Sequence, residues 1–187
     1  MESVFIGFGS NVGNRLDFCD RAVTLLGLLP FSRLVAVSSL YETAPIKDST
    51  DPGPGWFLNG VVEIETDLVP MRLLKLCREV ERALGRDLDQ RGGPRTLDLD
   101  VLFYGARVID DPRLTVPHPR MHQRRFVLAP MTEIAPDWVH PVLQRTMSDL
   151  LLHLDNLDEV RRLQPPPGSR FGSRPSCSRP ASSSQQT

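Results

Sequence analysis

Two aspartates and a group of arginines are the residues best suited to chemistry in this chain. They stand in and just upstream of Gly93-Pro94-Arg95-Thr96-Leu97-Asp98-Leu99-Asp100. Side chains alternate between the two faces of a strand, so Asp98 and Asp100 are expected on one face with Cα atoms roughly 6.5–7 Å apart. Leu97, Leu99, Val101 and Phe103 are expected on the opposite face. Two carboxylates held so close repel one another unless a cation lies between them. Hard oxygen donors suit Mg²⁺, which keeps water ligands and also takes phosphate oxygens. Arg95 precedes the pair, and Arg86 and Arg91 lie a little further upstream. A bare Asp-x-Asp is most often a solvated strand face, but guanidinium groups beside it suit a site where metal and arginine together hold a polyphosphate.

A second cluster is Thr115-Val116-Pro117-His118-Pro119-Arg120-Met121, followed by Arg124 and Arg125. Prolines on both sides hold His118 in a stiff, extended segment, where its imidazole can hydrogen-bond a phosphate or act as an acid. Taken alone, this cluster reads as a turn. Gly7, Gly9 and Gly13 come close to a dinucleotide fingerprint, but the last spacing is one residue too long and no acid follows at the usual distance. They are read as a tight strand-to-helix turn. Asn59 offers both a donor and an acceptor, as an amide-bearing heterocycle requires. Phe57 or Phe126 can supply a face for stacking.

The elements that must position these residues follow from periodicity. Ser3–Phe8 reads as a buried strand, and residues 14–28 as a helix with Leu16, Cys19, Val23 and Leu26 on one stripe and Asn14 as N-cap. A strand is predicted over 33–42, and another over 57–65. A helix opens at Pro70 and carries Leu73, Leu74, Cys77, Val80, Ala83 and Leu84, ending near Gly85. Leu97–Tyr104 is the last strand, and short helical pieces are expected near 124–134 and 146–160. The order βαββαβ predicts an α+β, ferredoxin-like sandwich with a mainly antiparallel sheet and C-terminal additions. Residues 1–160 are expected to form the one folded domain. Residues 161–187, rich in Pro, Ser and Arg, are expected to form a disordered tail.

Charge limits the partners. The chain of 187 residues has a formal net charge of -1, but 161–187 hold five arginines and no acid, leaving residues 1–160 at 17 basic against 23 acidic side chains. So acidic a body does not suit nucleic acid, whose phosphates need a basic face. Cys19, Cys77 and Cys177 form no Cys-x-x-Cys pair, which predicts reduced thiols in a cytoplasmic protein. The start Met-Glu-Ser-Val-Phe does not read as a signal peptide, and no run of ~20 apolar residues suggests a membrane span.

Taken together, the motifs Gly9-Ser10-Asn11, Tyr41-Glu42-Thr43, Phe57-Leu58-Asn59, Gly93–Asp100, Thr115–Met121 and Arg124–Pro130 resemble the 6-hydroxymethyl-7,8-dihydropterin pyrophosphokinase family of folate biosynthesis. The resemblance runs from about residue 3 to about residue 160. It implies transfer of a diphosphate from ATP to the pterin hydroxyl, with AMP released. It implies that Asp98 and Asp100 bind two Mg²⁺ ions, and that Arg86, Arg91 and Arg95 assist transfer. Glu81, Arg95, Thr115, His118 and Arg124 are implied for ATP, and Thr43, Pro45, Asn59 and Phe126 for the pterin pocket. Loops 44–56 and 85–95 are implied as lids. The chain departs from the family pattern at Ala44, Leu88 and Gly92. A monomer is expected, with a homodimer left open, acting on small molecules without nucleic acid or membrane. The competing readings are a ferredoxin-like RNA-binding module, which would carry aromatics rather than acids on its central strands, and a regulatory small-molecule domain with a decayed site.

Overall fold

The computed structural model describes residues 1–44, 55–87, 95–155, 159–164 and 169–172. The chain runs β1 (Glu2–Ser10), α1 (Arg15–Gly27), β2 (Ser32–Val37), β3 (Tyr41–Thr43), β4 (Phe57–Thr66), α2 (Pro70–Ala83) and β5 (Asp98–Tyr104). A hairpin of β6 (Ile109–Asp111) and β7 (Leu114–Val116) follows, then α3 (Arg125–Ile134), α4 (Met147–Leu152) and β8 (Val160–Arg162). The main sheet is antiparallel in every pairing. Its strands lie in the order β5-β1-β4-β3-β8, and β2 also pairs with β4.

Local chemistry accounts for the helix ends. The Asn14 side chain accepts the Asp17 N–H at 3.2 Å, the N-cap expected from the sequence. Pro70 opens α2, where its missing N–H costs nothing. Gly85 follows α2 at φ +84°, a conformation that most side chains resist. The buried stripe of α2 is Leu73, Cys77, Val80 and Glu81, with Leu84 just past its end. Glu81 therefore occupies the face on which Ala83 was expected, and Ala83 is exposed.

Each face of the sheet has its own core. On one side α1 and α2 cover Val4, Ile6, Phe8, Val62, Ile64, Leu99 and Val101. On the other, α3 and α4 pack against Phe5, Val61, Leu102 and Phe103. The register of β1 against β5 slips between Phe5 and Ile6, opposite Phe103 and Val101. This bulge at Leu102 turns Phe103 to the side opposite Leu99 and Val101, so the uniform alternation expected along this strand is interrupted.

The strand expected over 33–42 is broken in two. At the break, Ser38 Oγ takes the Val61 N–H at 2.9 Å, and Ser39 N turns away to Glu133 at 3.0 Å. Serine side chains thus replace ladder bonds and redirect the chain into β3. The expected boundary after residue 160 falls inside β8, which pairs with β3 through Tyr41↔Arg162 and Thr43↔Val160. Further on, Phe171 is buried against Phe8 with ring centroids 6.3 Å apart, and Arg170 reaches Asp20 at 2.6 Å and Thr24 at 2.8 Å. The described parts of the tail are therefore tied to the body. Residues 173–187 lie outside the described residues. No described helix is long and apolar enough to cross a membrane.

Candidate active site

The acid pair lies on β5, at the edge of the main sheet, where among the described residues the strand pairs with β1 alone. The register sets Asp98 opposite Gly9 and Asp100 opposite Gly7. On the other side of β1, Gly9 faces Asn59 of β4. One row across three strands therefore reads acid, glycine, amide. A Cβ on Gly9 would stand 2.7 Å from Asn59 Oδ1, so only glycine leaves room for the Asn59 amide. Sequence reading treats Gly9 as a turn residue, and its value to the site appears only once the strand register is known.

Two of the arginines upstream of the acids, Arg86 and Arg95, stand against Asp98. Arg86 is ion-paired with both Glu81 and Asp98, and Arg95 Nη1 lies 2.5 Å from the other Asp98 oxygen. Glu81 is 3% exposed and also accepts the Leu99 N–H at 2.8 Å, so it fixes β5 and aims Arg86 at the same time. Arg95 is held at its backbone by Asn11. The Asn11 side chain accepts the Arg95 N–H at 2.6 Å, and the Asn11 N–H donates to the Arg95 carbonyl at 3.1 Å.

Asp100 lines the groove, with protein crowded about its carboxyl although 44% of its side chain remains reachable by water. That crowding, and then the charge of Asp98, raise its carboxyl above the usual range. His118, Arg124 and Arg86 oppose the rise. His118 is delivered by the segment after β7, whose His118 N–H donates to the Leu102 carbonyl at 3.0 Å. Its Nδ1 accepts the Arg120 N–H at 3.3 Å, which leaves Nε2 to carry the proton and face Asp100 at 3.9 Å. Burial holds the imidazole below its usual value, against the pull of Asp100.

A cavity of about 570 Å³ gathers Glu81, Arg86, Asp98, Asp100, Thr115 and His118 along β5. Arg95 joins through Asp98. Arg124 acts on Asp100 electrostatically and lies 5.5 Å above the Phe126 ring. At the β3–β4 end, Asn59 Nδ2 donates to Thr43 Oγ1 at 2.9 Å, and both residues are buried. Arg91 and Pro45 lie outside the described residues, as do Leu88 and Gly92.

The sequence profile of the 7,8-dihydro-6-hydroxymethylpterin-pyrophosphokinase (HPPK) family matches residues 5–136. The chain belongs to this family. It is 41% identical over 155 residues to the 2-amino-4-hydroxy-6-hydroxymethyldihydropteridine pyrophosphokinase of Methylorubrum extorquens, covering 83% of this chain and 95% of that relative. To the enzyme of the same name from Bacillus subtilis it is 45% identical over 132 residues, covering 70% of this chain and 76% of the relative. Among solved structures, the HPPK-DHPS of Plasmodium falciparum with pteroate superposes at a TM-score of 0.63 and 14% identity. That match covers 81% of this chain and 42% of the longer one, and it speaks to the fold alone. Every motif singled out before Gly93 or after it, as far as Pro130, falls within the stretch that the HPPK profile matches.

Proposed function

We propose that the chain transfers a diphosphate from ATP to 6-hydroxymethyl-7,8-dihydropterin, releasing AMP, as a step of folate biosynthesis. The observation that carries this reading is the row Asp98–Gly9–Asn59 across β5, β1 and β4. Neighbouring strands lie ~4.8 Å apart, so the acid and the amide stand about 10 Å apart at their Cα atoms, with a glycine between them. A flat heterocycle hydrogen-bonded at Asn59 would extend its hydroxymethyl arm over Gly9 toward the acids.

Asp98 and Asp100 are the residues that would hold Mg²⁺. The fit rests on the donor set: two carboxylates on one strand face, one of them raised by burial and then by the charge of the other. Among the described residues no group of three or more His, Cys, Asp or Glu side chains could hold a metal unaided. Two acids leave coordination places for phosphate and water, as magnesium prefers. When bound, the two ions would neutralise phosphate charge and make the pterin hydroxyl more acidic.

The remaining roles belong to the chain itself. The pterin oxygen attacks the β-phosphorus in line, the bond from that phosphorus to the AMP oxygen breaks with its electron pair leaving on AMP, and the hydroxyl proton passes to solvent. Arg86, Arg91, Arg95 and Arg124 stabilise the charge that gathers on the departing phosphate oxygens. His118 presents an N–H, and Thr115 a hydroxyl, to the nucleotide, while Glu81 keeps Arg86 in place. Thr43, Pro45, Asn59 and Phe126 border the pterin. The sheet order fits the ferredoxin-like arrangement, with the split β2/β3 acting as its second strand. The acids on the groove face speak against RNA binding, and the reading is of a cytoplasmic, monomeric enzyme. Mass spectrometry after mixing with ATP, Mg²⁺ and the pterin should find AMP and a pterin diphosphate in equal amounts. ADP in place of AMP, or no product, would overturn the reading.

A further inference from the structure

The break between β2 and β3 is held by one carboxylate from the far side of the core. Glu133 of α3 accepts from Ser39 N at 3.0 Å, Ser39 Oγ at 2.8 Å, Tyr41 Oη at 3.0 Å and Arg162 Nη2 at 3.2 Å. Its side chain is 13% exposed. Arg162 also donates to Ser39 Oγ from Nε at 2.9 Å, so β8 closes the same cluster from the sheet edge. Burial, and then the charge of Glu133, push the Tyr41 phenol up to about 12, which keeps its hydroxyl protonated and donating at ordinary pH.

These contacts bear on the site through β3. Tyr41 and Thr43 lie two residues apart on a strand and therefore share a face. Tyr41 is the residue Glu133 grips, and Thr43 is the residue that accepts from Asn59. Tyr41 is also the register partner of Asn59, and Thr43 of Phe57. β3 has three residues, paired with β4 on one side and β8 on the other. Four donors from the segment leading into β3, from β3 itself and from β8 converge on the half-buried Glu133 carboxylate.

We infer that Glu133 is a positioning residue for the pterin end of the site, fixing the Ser38–Ser39 kink and through it the Thr43–Asn59 pair, with Arg162 of the C-terminal strand as its outer support. The inference rests on the functional reading above and extends it to a residue that touches neither substrate. Glutamine cannot replace Glu133 without loss. Ser39 N and Arg162 are obligate donors and bind different oxygens, so the amide NH₂ must confront one of them in either orientation.

The test is steady-state kinetics on Glu133→Gln, Tyr41→Phe and Arg162→Gln beside wild type, varying pterin and ATP separately, with thermal melts alongside. Glu133→Gln should raise KM for the pterin about tenfold, the scale of one lost hydrogen bond to a charged group, with KM for ATP changed less than about twofold. Tyr41→Phe and Arg162→Gln leave the carboxylate in place and should each raise the pterin KM about threefold. Equal changes in both KM values, or a fall in Tm with unchanged KM values, would mean that the cluster serves the fold alone and would sink the positioning role. The two milder variants keep the question open to refutation should Glu133→Gln fold poorly. Wild type that makes no AMP would sink the functional reading and this one with it. Wild type that makes AMP beside variants with an unmoved pterin KM would sink this one only.

Discussion

The two ends of the site are built on different physics. Along β5 the working groups are charged, covered to very different degrees and restrained by one another: Arg86 and Arg95 both grip Asp98, and Glu81 anchors Arg86. At β3 and β4 they are neutral, buried and hydrogen-bonded, as in the Thr43–Asn59 pair at 4% and 8% exposure. A charged groove can exchange its internal ion pairs for a triphosphate and its counter-ions, because each guanidinium loses one anionic partner and gains another. A buried amide has no such freedom. It must already point correctly, since a wrongly turned donor inside protein leaves a partner unsatisfied. On the proposed assignment, the nucleotide end is thus expected to tolerate rearrangement, and the pterin end to depend on fixed geometry.

The largest expected effect lies at the charged end. Asp98→Ala or Asp100→Ala should lower turnover by at least ~10³-fold, the scale seen when a stabiliser of transferred charge is lost. Titration calorimetry should show the matching loss of Mg²⁺-dependent ATP binding. Wild-type turnover in both variants would erase the difference between the two ends, since the acids would then be a solvated strand face.

Next in size is Phe171→Ala, which separates packing from both ends. The ring fills the α1/α2 core against Phe8, one residue before Gly9. Deleting it should cost about 2–3 kcal/mol of stability, below the usual Phe→Ala range because a segment near the chain end relaxes readily. Denaturant melts measure this, and an unchanged midpoint would show that residues 169–172 are not part of the core.

Much of this arrangement was legible in the sequence. Helical spacing of Cys19, Val23 and Leu26 located α1, and alternation around Asp98 and Asp100 placed both acids on one face. What escaped depends on contacts distant in sequence. Ser38 and Ser39 look compatible with a continued strand until Val61 and Glu133 arrive to take their hydrogen bonds. The bulge at Leu102 exists only because β1 pairs with β5 out of step. Phe171 sits in a stretch too polar to predict burial, yet its slot is formed by residues more than a hundred positions earlier. Arg91 and Pro45, expected in the site, lie outside the described residues, so the row through Gly9 rather than the lids carries the geometry here.

Gly9→Ala tests the rigidity claimed for the pterin end. The new Cβ would lie 2.7 Å from Asn59 Oδ1, which Asn59 can relieve only by turning its amide and breaking its bond to Thr43. If Asn59 binds the pterin as proposed, KM for the pterin should rise about tenfold, the cost of one such bond. Gly7 provides the contrast two residues earlier on the same strand. Its Cβ would meet the Leu102 side chain at 3.5 Å, ordinary contact, so Gly7→Ala should leave pterin binding near wild type. Equal effects from the two substitutions would show that the floor beside Asn59 is not special.

The smallest expected effect concerns the support beneath the charged end. His140 is 4% exposed, lies 5.5 Å from the Phe103 ring of β5, and accepts the Val142 and Leu143 N–H groups on Nδ1 at 3.2 Å each. An Nδ1 that accepts two donors must be unprotonated, and burial together with the nearby His122 holds the imidazole below its usual value. The unfolded chain, with an ordinary histidine near 6.5, therefore binds a proton before the folded one does. The stability contributed by neutral His140 is complete above about pH 6.5 and is lost as pH falls from there through the lower folded value. His140→Gln should lower stability at every pH but flatten the decline between pH 7 and 5, by less than about one proton in the slope. An unaltered slope would place the titrating group elsewhere, and an upward shift of the His140 resonance midpoint by NMR would contradict the sign. Either result would leave β5 resting on a support indifferent to pH, so that any acid sensitivity of the charged end belongs to Asp100 and His118 themselves.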